Sequence, residues 1–385
     1  MVASRNICIA VALGLATIAS GATISVRKDG AGDYTTIQPA LDVAADGDTI
    51  LIGPGEYTEA TTVRLPGWAY DIESYAHLRC DDLTIIGSGA DLTIIGPPTY
   101  QGNAATGNPA GLSYSVNGGT LNISDVTIRH SYAMFVLGVL YMDRCRLANN
   151  RIGLSWSPSG PGGWVRDSVF EATEPIFDAM SFAIGSGGLG SGILLESCRF
   201  PEPGSLRTVH GIELRSCDLN GMNVYASTDV VIHNCTIAGG EVAVSQSQGG
   251  STCTIRDSDL SGSVAALTVL GDASGGSFVV ENSRLSGGNY GVLWLRRYSG
   301  PCEIHGCDLV KGTGPVVRCD ASGPVVTHDM RDNYWGTTDE ATIQSWIIDH
   351  NDDPQIGATV SYSPFAGQSV PTESTTWSDL KVLFR

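Results

Sequence analysis

Nine hexapeptides on one template recur along the chain and constrain what it can fold into. They are ISDVTI (123–128), MDRCRL (142–147), VRDSVF (165–170), LESCRF (195–200), LRSCDL (214–219), IHNCTI (232–237), IRDSDL (255–260), VENSRL (280–285) and IHGCDL (304–309). The template reads apolar, polar or charged, turn-former, Cys or Ser, variable, apolar. Its fourth positions are Val126, Cys145, Ser168, Cys198, Cys217, Cys235, Ser258, Ser283 and Cys307, separated by 19, 23, 30, 19, 18, 23, 25 and 24 residues. Self-similarity at such a period marks an array of stacked units rather than several independent cores.

The chemistry within each unit selects the architecture. Short apolar runs such as GLSW (153–156), AVSQ (243–246), ALTV (266–269) and GVLW (291–294) follow the hexapeptides, and glycine takes 48 of 385 positions. This is strand and turn composition. Three short strands and three turns consume about 22–25 residues at ~3.3 Å per residue. Leucine-rich repeats need a dense leucine consensus, propeller blades need ~40 residues, and helical arrays need a 3.6 period. An all-β parallel β-helix remains.

With those residues in hand, the chain from 24 to about 365 resembles the right-handed parallel β-helices of the pectin-lyase-like superfamily, in their secreted bacterial form. Members often stack asparagine at the fourth template position, as an interior ladder beside a turn. Here Cys or Ser stands there in eight of nine copies. The template predicts one interior column, from Val126 to Cys307, with members one strand apart except across the insertion between Ser168 and Cys198. The resemblance implies a cap at each end. Residues 24–59 read as a strand (24–27), an amphipathic helix (36–45) with Ile37, Ala40, Leu41 and Ala44 on one face, and a strand (49–52). LTIIGSG (83–89) and LTIIGPP (92–98) read as the first full coil. In residues 332–365, Asn333, Trp335 and Gly336 turn the chain, a short helix carries Ile343, Trp346 and Ile347, and a last strand covers 360–362. The domain organisation is then β-helix over 23–365, flanked by residues 1–22 and 366–385.

Residues 1–22 carry Arg5, an apolar run over 7–19 and small residues at Ser20, Gly21 and Ala22, the pattern of a secretory signal peptide. The expected location is extracellular or at the cell surface, with the periplasm as the other exported compartment. No apolar run long enough for a transmembrane helix follows. Residues 366–385 read as a linker and a short tail with Leu380, Leu383 and Phe384. The net charge is −18, with three lysines beside nineteen arginines. Such a surface repels a phosphate backbone and excludes nucleic acid as partner. It also disfavours a polyanionic sugar unless calcium or a local arginine patch intervenes. Nine cysteines lie beyond residue 22, and Cys198, Cys217 and Cys235 share one slot in consecutive repeats. They read as a buried thiol ladder rather than as disulfides, because parallel side chains must twist to form a bridge.

No enzyme signature is complete. GEYTE (55–59) resembles one string of the pectin methylesterases, without their other motifs. WIIDH (346–350) is similar to a pectate lyase string but has an extra isoleucine and lies in the expected C-terminal cap. A hydrolase pair fails because Asp81–Asp82 lies about five coils from His210, over ~20 Å, whereas inverting hydrolysis needs carboxyls about 6.5–9.5 Å apart. The YWG string (334–336) resembles periplasmic copper-binding β-helices, without a matching set of His, Met and Cys. The ligand-binding candidates are Trp156, Tyr225, Trp294, Arg296, Arg297 and Tyr298, since aromatic rings beside arginines suit sugar stacking and carboxylate contact. No cofactor is required, and Asp352 and Asp353 in HNDDP (350–354) are the candidate calcium ligands. The expectation is a non-catalytic protein that binds a polysaccharide or cell-surface glycan, or serves a structural or adhesive role. The alternative is a polysaccharide lyase or glycoside hydrolase with an unrecognised site.

Overall fold

The computed structural model describes residues 21–64, 71–100, 110–114, 119–156, 162–172, 180–184, 192–208, 211–226, 229–245, 252–271, 276–298, 300–322 and 324–369. Residues 1–20, on which the expectation of a signal peptide rests, His210 and the tail from 370 onward lie outside them. Three parallel sheets wind around one apolar bore. The first has 14 strands, from Thr23–Val26 to Ala358–Ser361. The second has 11, from Gly55–Tyr57 to Asp308–Lys311, and the third has 12, from His77–Leu78 to Ile347–Ile348. Within each sheet the hydrogen-bonded neighbour is the equivalent strand one coil away, so this is the parallel β-helix that the repeat demands. An antiparallel pair, Thr61–Val63 with Ile72–Ser74, projects beside the early coils.

Alternation along each strand sets what faces inward. The first template position stacks as Ile123, Met142, Val165, Leu195, Leu214, Ile232, Ile255, Val280 and Ile304, in register from strand to strand. None of these side chains is more than 2% exposed. Burying each contributes about 1.5–3 kcal/mol relative to leaving it in water.

The corner after each first-sheet strand explains the rest of the hexapeptide. Its third residue turns the chain through the left-handed region: Asp125, Arg144, Asp167, Ser197, Ser216, Asn234, Asp257, Asn282, Gly306 and Asp332 have φ between 46° and 63°. Asp, Asn and Gly tolerate this conformation best. Arg144, a long side chain in that place, is held by two guanidinium hydrogen bonds of 2.9 and 2.7 Å to Asp125. The turn aims two successive N–H groups at the next coil. The first finds a backbone carbonyl, as Asn234 N–H does on Arg256 (3.1 Å). The second belongs to the fourth residue, and the equivalent side chain one coil on accepts it. Cys145 donates to Ser168 Oγ (3.1 Å), Cys217 to Cys235 Sγ (3.4 Å), Cys235 to Ser258 Oγ (3.1 Å), Ser258 to Ser283 Oγ (3.1 Å) and Ser283 to Cys307 Sγ (3.5 Å). Each hydroxyl or thiol in turn donates to the carbonyl two residues earlier, as Ser258 does to Arg256 (2.7 Å) and Cys235 to His233 (3.3 Å). The slot therefore needs a small group that both donates and accepts. Asn333 is its last member, taking the Cys307 N–H at 2.8 Å. Where the slot holds Val126, which cannot accept, the N–H of Ser88 turns instead to Thr93 Oγ1 (2.9 Å).

All nine cysteines of the described residues are buried and unpaired. Burial pushes the thiols of Cys145, Cys307 and Cys319 up to about 12, so they stay protonated and unreactive near neutrality.

The ends are closed as expected, with shorter elements. The N-terminal helix is Ile37–Val43 and buries Ile37, Ala40 and Leu41. Ala44, placed by its spacing on the helix, is already extended and half-buried against the core. At the other end Asp339 caps the helix Glu340–Ser345 through the Thr342 N–H (3.2 Å), burying Ile343. Ile347 belongs to the short strand that follows. Near this end His328 lies fully buried, its ring stacked 6.1 Å from that of Tyr298, with no hydrogen-bond partner for either nitrogen among the described residues.

Two outcomes follow from these contacts. Ser258→Ala removes the acceptor of the Cys235 N–H and should cost about 1–3 kcal/mol, read as a lower denaturant midpoint. Ser258→Cys should recover most of that loss, because a thiol does the same work at Cys235. The second outcome concerns acid. Burial lowers His328 to about 4, against ~6.5 in the unfolded chain. Between those values the unfolded chain binds a proton that the folded one refuses, so stability falls as pH drops from 6.5 to 4, by ~3 kcal/mol in all. His328→Phe should flatten that part of the stability profile measured across the same window.

Candidate functional site

The third sheet carries the aromatic surface. In its strands Val242, Val244, Leu267, Val269, Leu293 and Leu295 fill the bore, so the residues between them point outward. In register these form the column Tyr225, Ala243, Thr268, Trp294 and Arg318. Trp294 is the centre of the site. Its strand, Leu293–Arg296, is entered through a turn in which Gly287 and Gly288 have φ of 88° and 87°. A Cβ on Gly288 would lie 2.0 Å from the carbonyl oxygen of Gly291. That tight turn sets Tyr290 over Trp294, with ring centroids 5.0 Å apart and planes 18° from parallel. Tyr290 is 46% exposed, so the stacked pair presents an open aromatic surface.

Charged groups frame the pair. The Arg296 guanidinium lies 5.2 Å from the Trp294 ring centroid, and that of Arg318 lies 5.8 Å from Tyr290. Asp320 ties them together, accepting the Trp294 indole N–H at 2.6 Å and the Arg318 Nε–H at 3.1 Å. One strand away the Thr268 hydroxyl donates to the Glu241 carboxylate. Guanidinium groups over ring faces gain ~0.5–1 kcal/mol each at exposed sites and keep spare N–H donors for a ligand. The arrangement offers an apolar face for a sugar ring, with donors and acceptors at its rim.

The sequence-derived residues separate into three groups. Trp294 and Arg296 come together at this platform, and Tyr225 shares its column three strands away, roughly 14 Å at ~4.8 Å per strand. Arg297 is exposed at the following bend, with φ 56°. Trp156 and Tyr298 are corrections. Trp156 is fully buried, in register with Val136 of the inward column, and spends its indole N–H on the Gly138 carbonyl at 2.9 Å. Tyr298 is equally buried and donates to the Pro301 carbonyl at 2.8 Å. Both fill the bore and cannot meet a ligand in solvent. Tyr290, Arg318 and Asp320 escaped sequence reasoning, because Tyr290 lies in a glycine turn and the other two belong to the next coil. The signal that finds them is the repeat period applied to Trp294, which points one coil on to Arg318.

Asp352 and Asp353 each spend one carboxylate oxygen on a backbone N–H, of Asp349 (3.2 Å) and Gln355 (2.9 Å). The described residues contain no cluster of three or more His, Cys, Asp or Glu side chains placed to hold a metal. Asp167 is the carboxyl held above its usual range, first by partial burial and then by Asp143 and Glu196.

No protein-family model matches the chain, and no characterised relative matches it by sequence. Among solved structures it is similar to the A-module of the Azotobacter vinelandii mannuronan C-5 epimerase AlgE6. The two share 14% identity over 85% of this chain and 82% of that one, with a TM-score of 0.34. A likeness this distant does not bear on function.

If Asp320 holds the platform, Asp320→Ala should free the Trp294 ring. With fluorotryptophan incorporated, the Trp294 resonance, assigned through Trp294→Phe, should shift and broaden. Asp320→Asn, which still accepts the indole N–H, should change it far less.

Proposed function

We propose that this protein is an exported β-helix that binds a glycan without transforming it, and that the Tyr290–Trp294 pair is where a sugar ring rests. The observation that carries this reading is the stacked, half-exposed pair with its guanidinium and carboxylate rim. A pyranose presents an apolar C–H face that suits an aromatic surface. Its equatorial hydroxyls suit Arg296, Arg318 and Asp320. Asp320 is engaged by two donors, which favours a positioning role over proton transfer. The export that residues 1–22 suggest would bring the platform to extracellular polysaccharide.

The second reading is an enzyme, and the observation that favours it is Asp167, a carboxyl at the left-handed bend (φ 46°) that is held above its usual range by partial burial and by Asp143 and Glu196, with Arg144 and Arg166 opposing. A panel of neutral and acidic polysaccharides separates the two. Binding is followed by tryptophan fluorescence, and turnover by new reducing ends and unsaturated products. The expected result is binding without product. Trp294→Ala should weaken it at least tenfold, equivalent to about 1.4 kcal/mol, and Tyr290→Ala severalfold. Product that disappears in Asp167→Asn would establish the enzyme instead.

A further inference from the structure

The chain enters the first sheet over a buried carboxylate. Asp48 opens the strand Asp48–Ile52 and is 7% exposed. One of its oxygens accepts the Ala22 backbone N–H at 2.6 Å, and the other accepts the Ala45 N–H at 2.8 Å. The Ala22 carbonyl in turn accepts the Thr49 N–H at 2.8 Å, so both backbone groups of Ala22 are spent here. Among the described residues no basic side chain pairs with Asp48. The first two beyond Ala22, Arg27 and Lys28, are held by Asp29 and Glu59. A carboxylate taken out of water with neutral donors alone is costly, and a cation beside it offsets that cost.

The residue before Ala22 is the tightest point of the entry. A Cβ on Gly21 would lie 1.7 Å from the Gly47 carbonyl oxygen, so glycine alone fits where the chain continues upstream. Counting back from the Gly21–Ala22 bond, the first residue is Gly21 and the third is Ala19. Small residues at those two places are what a leader peptidase reads.

We infer that the Gly21–Ala22 bond is the processing site of the exported chain, and that the ammonium freed on Ala22 pairs with Asp48 and locks the N-terminal cap. The inference rests on the export reading above. Water adds across the amide, with a leader peptidase as catalyst. The C–N bond breaks, Gly21 leaves as a carboxylate, and Ala22 keeps the nitrogen as an ammonium. The neutral donor on Asp48 becomes a charged one, and charge-assisted hydrogen bonds are about twice as strong as neutral ones. A cut one residue later, at Ala22–Thr23, would remove both the donor to Asp48 and the acceptor of the Thr49 N–H. A cut further upstream would leave the Ala22 nitrogen an amide and Asp48 without a cation. The uncut chain is therefore the less stable form.

The first test expresses the full chain in a secreting bacterial host and reads the mass and N-terminal sequence of the exported protein. Ala22 should come first. Gly21→Ala should give a product of the same mass and the same unfolding midpoint, because the changed residue is discarded. A product that begins at Thr23, or upstream of Ala22, would overturn the inference and leave export standing. A chain that stays uncut inside the cell would overturn both. The second test compares the mature protein beginning at Ala22 with the same chain acetylated at that nitrogen or extended by Gly21. The free amine should lower the unfolding constant about fivefold against either blocked form, and Asp48→Asn should erase the difference. Equal stability of free and blocked forms would overturn the lock, as would a difference that survives Asp48→Asn. If Asp48→Asn fails to fold, the two blocked forms still decide it.

Discussion

The hydrogen bond from each fourth-position N–H to the side chain one coil on is the contact on which the rest of the solenoid depends. A coil must turn between sheets, and the left-handed residue makes that turn sharp enough to keep the bore narrow. The same residue leaves a buried amide without a backbone partner, at a cost of about 1–3 kcal/mol if nothing replaces it. Ser168, Cys235, Ser258, Ser283 and Asn333 replace it, and each also satisfies a carbonyl of its own coil or the one before. The ladder locks register, since sliding one strand by a residue would move every acceptor to the outside. Apolar stacking alone would tolerate such slips, because Val, Ile and Leu are nearly interchangeable in the bore.

Register fixed in this way turns the outside into an ordered surface. Residues far apart in sequence stand in straight columns, and their chemistry repeats at the strand spacing. That is how Trp294 acquires Arg318 as a neighbour.

The repeat was legible because its residues answer to the backbone. The fourth-position column, the left-handed turn-formers before it and both caps are local demands that short strings express. The helix ends were less so: Ala44 has the spacing of a helical residue, but the chain is already extended there. The inward or outward sense of the third-sheet residues was harder still. Trp156 and Trp294 each follow a hexapeptide within an apolar run, yet one closes its strand pointing into the bore and the other lies between two inward leucines. Loop lengths before these strands vary, so counting from the hexapeptide does not carry the phase. Tyr290 and Asp320 join the platform only through stacking of coils, which no single repeat contains.

The direction of the hydrogen bonds also has a mechanical meaning. Strands cross the solenoid, so the bonds between coils run along its axis, and the first and last strands lie at opposite ends of the first sheet. Tension applied between those ends would load one terminal coil at a time rather than shear a whole sheet at once. The chain would yield like a zipper, in a series of small steps. Each step would release one repeat of about 22 residues, or roughly 70–80 Å of extended chain. The two capping helices sit where such peeling starts, so resistance to a pull is set by the ends, while the middle coils serve as stored length.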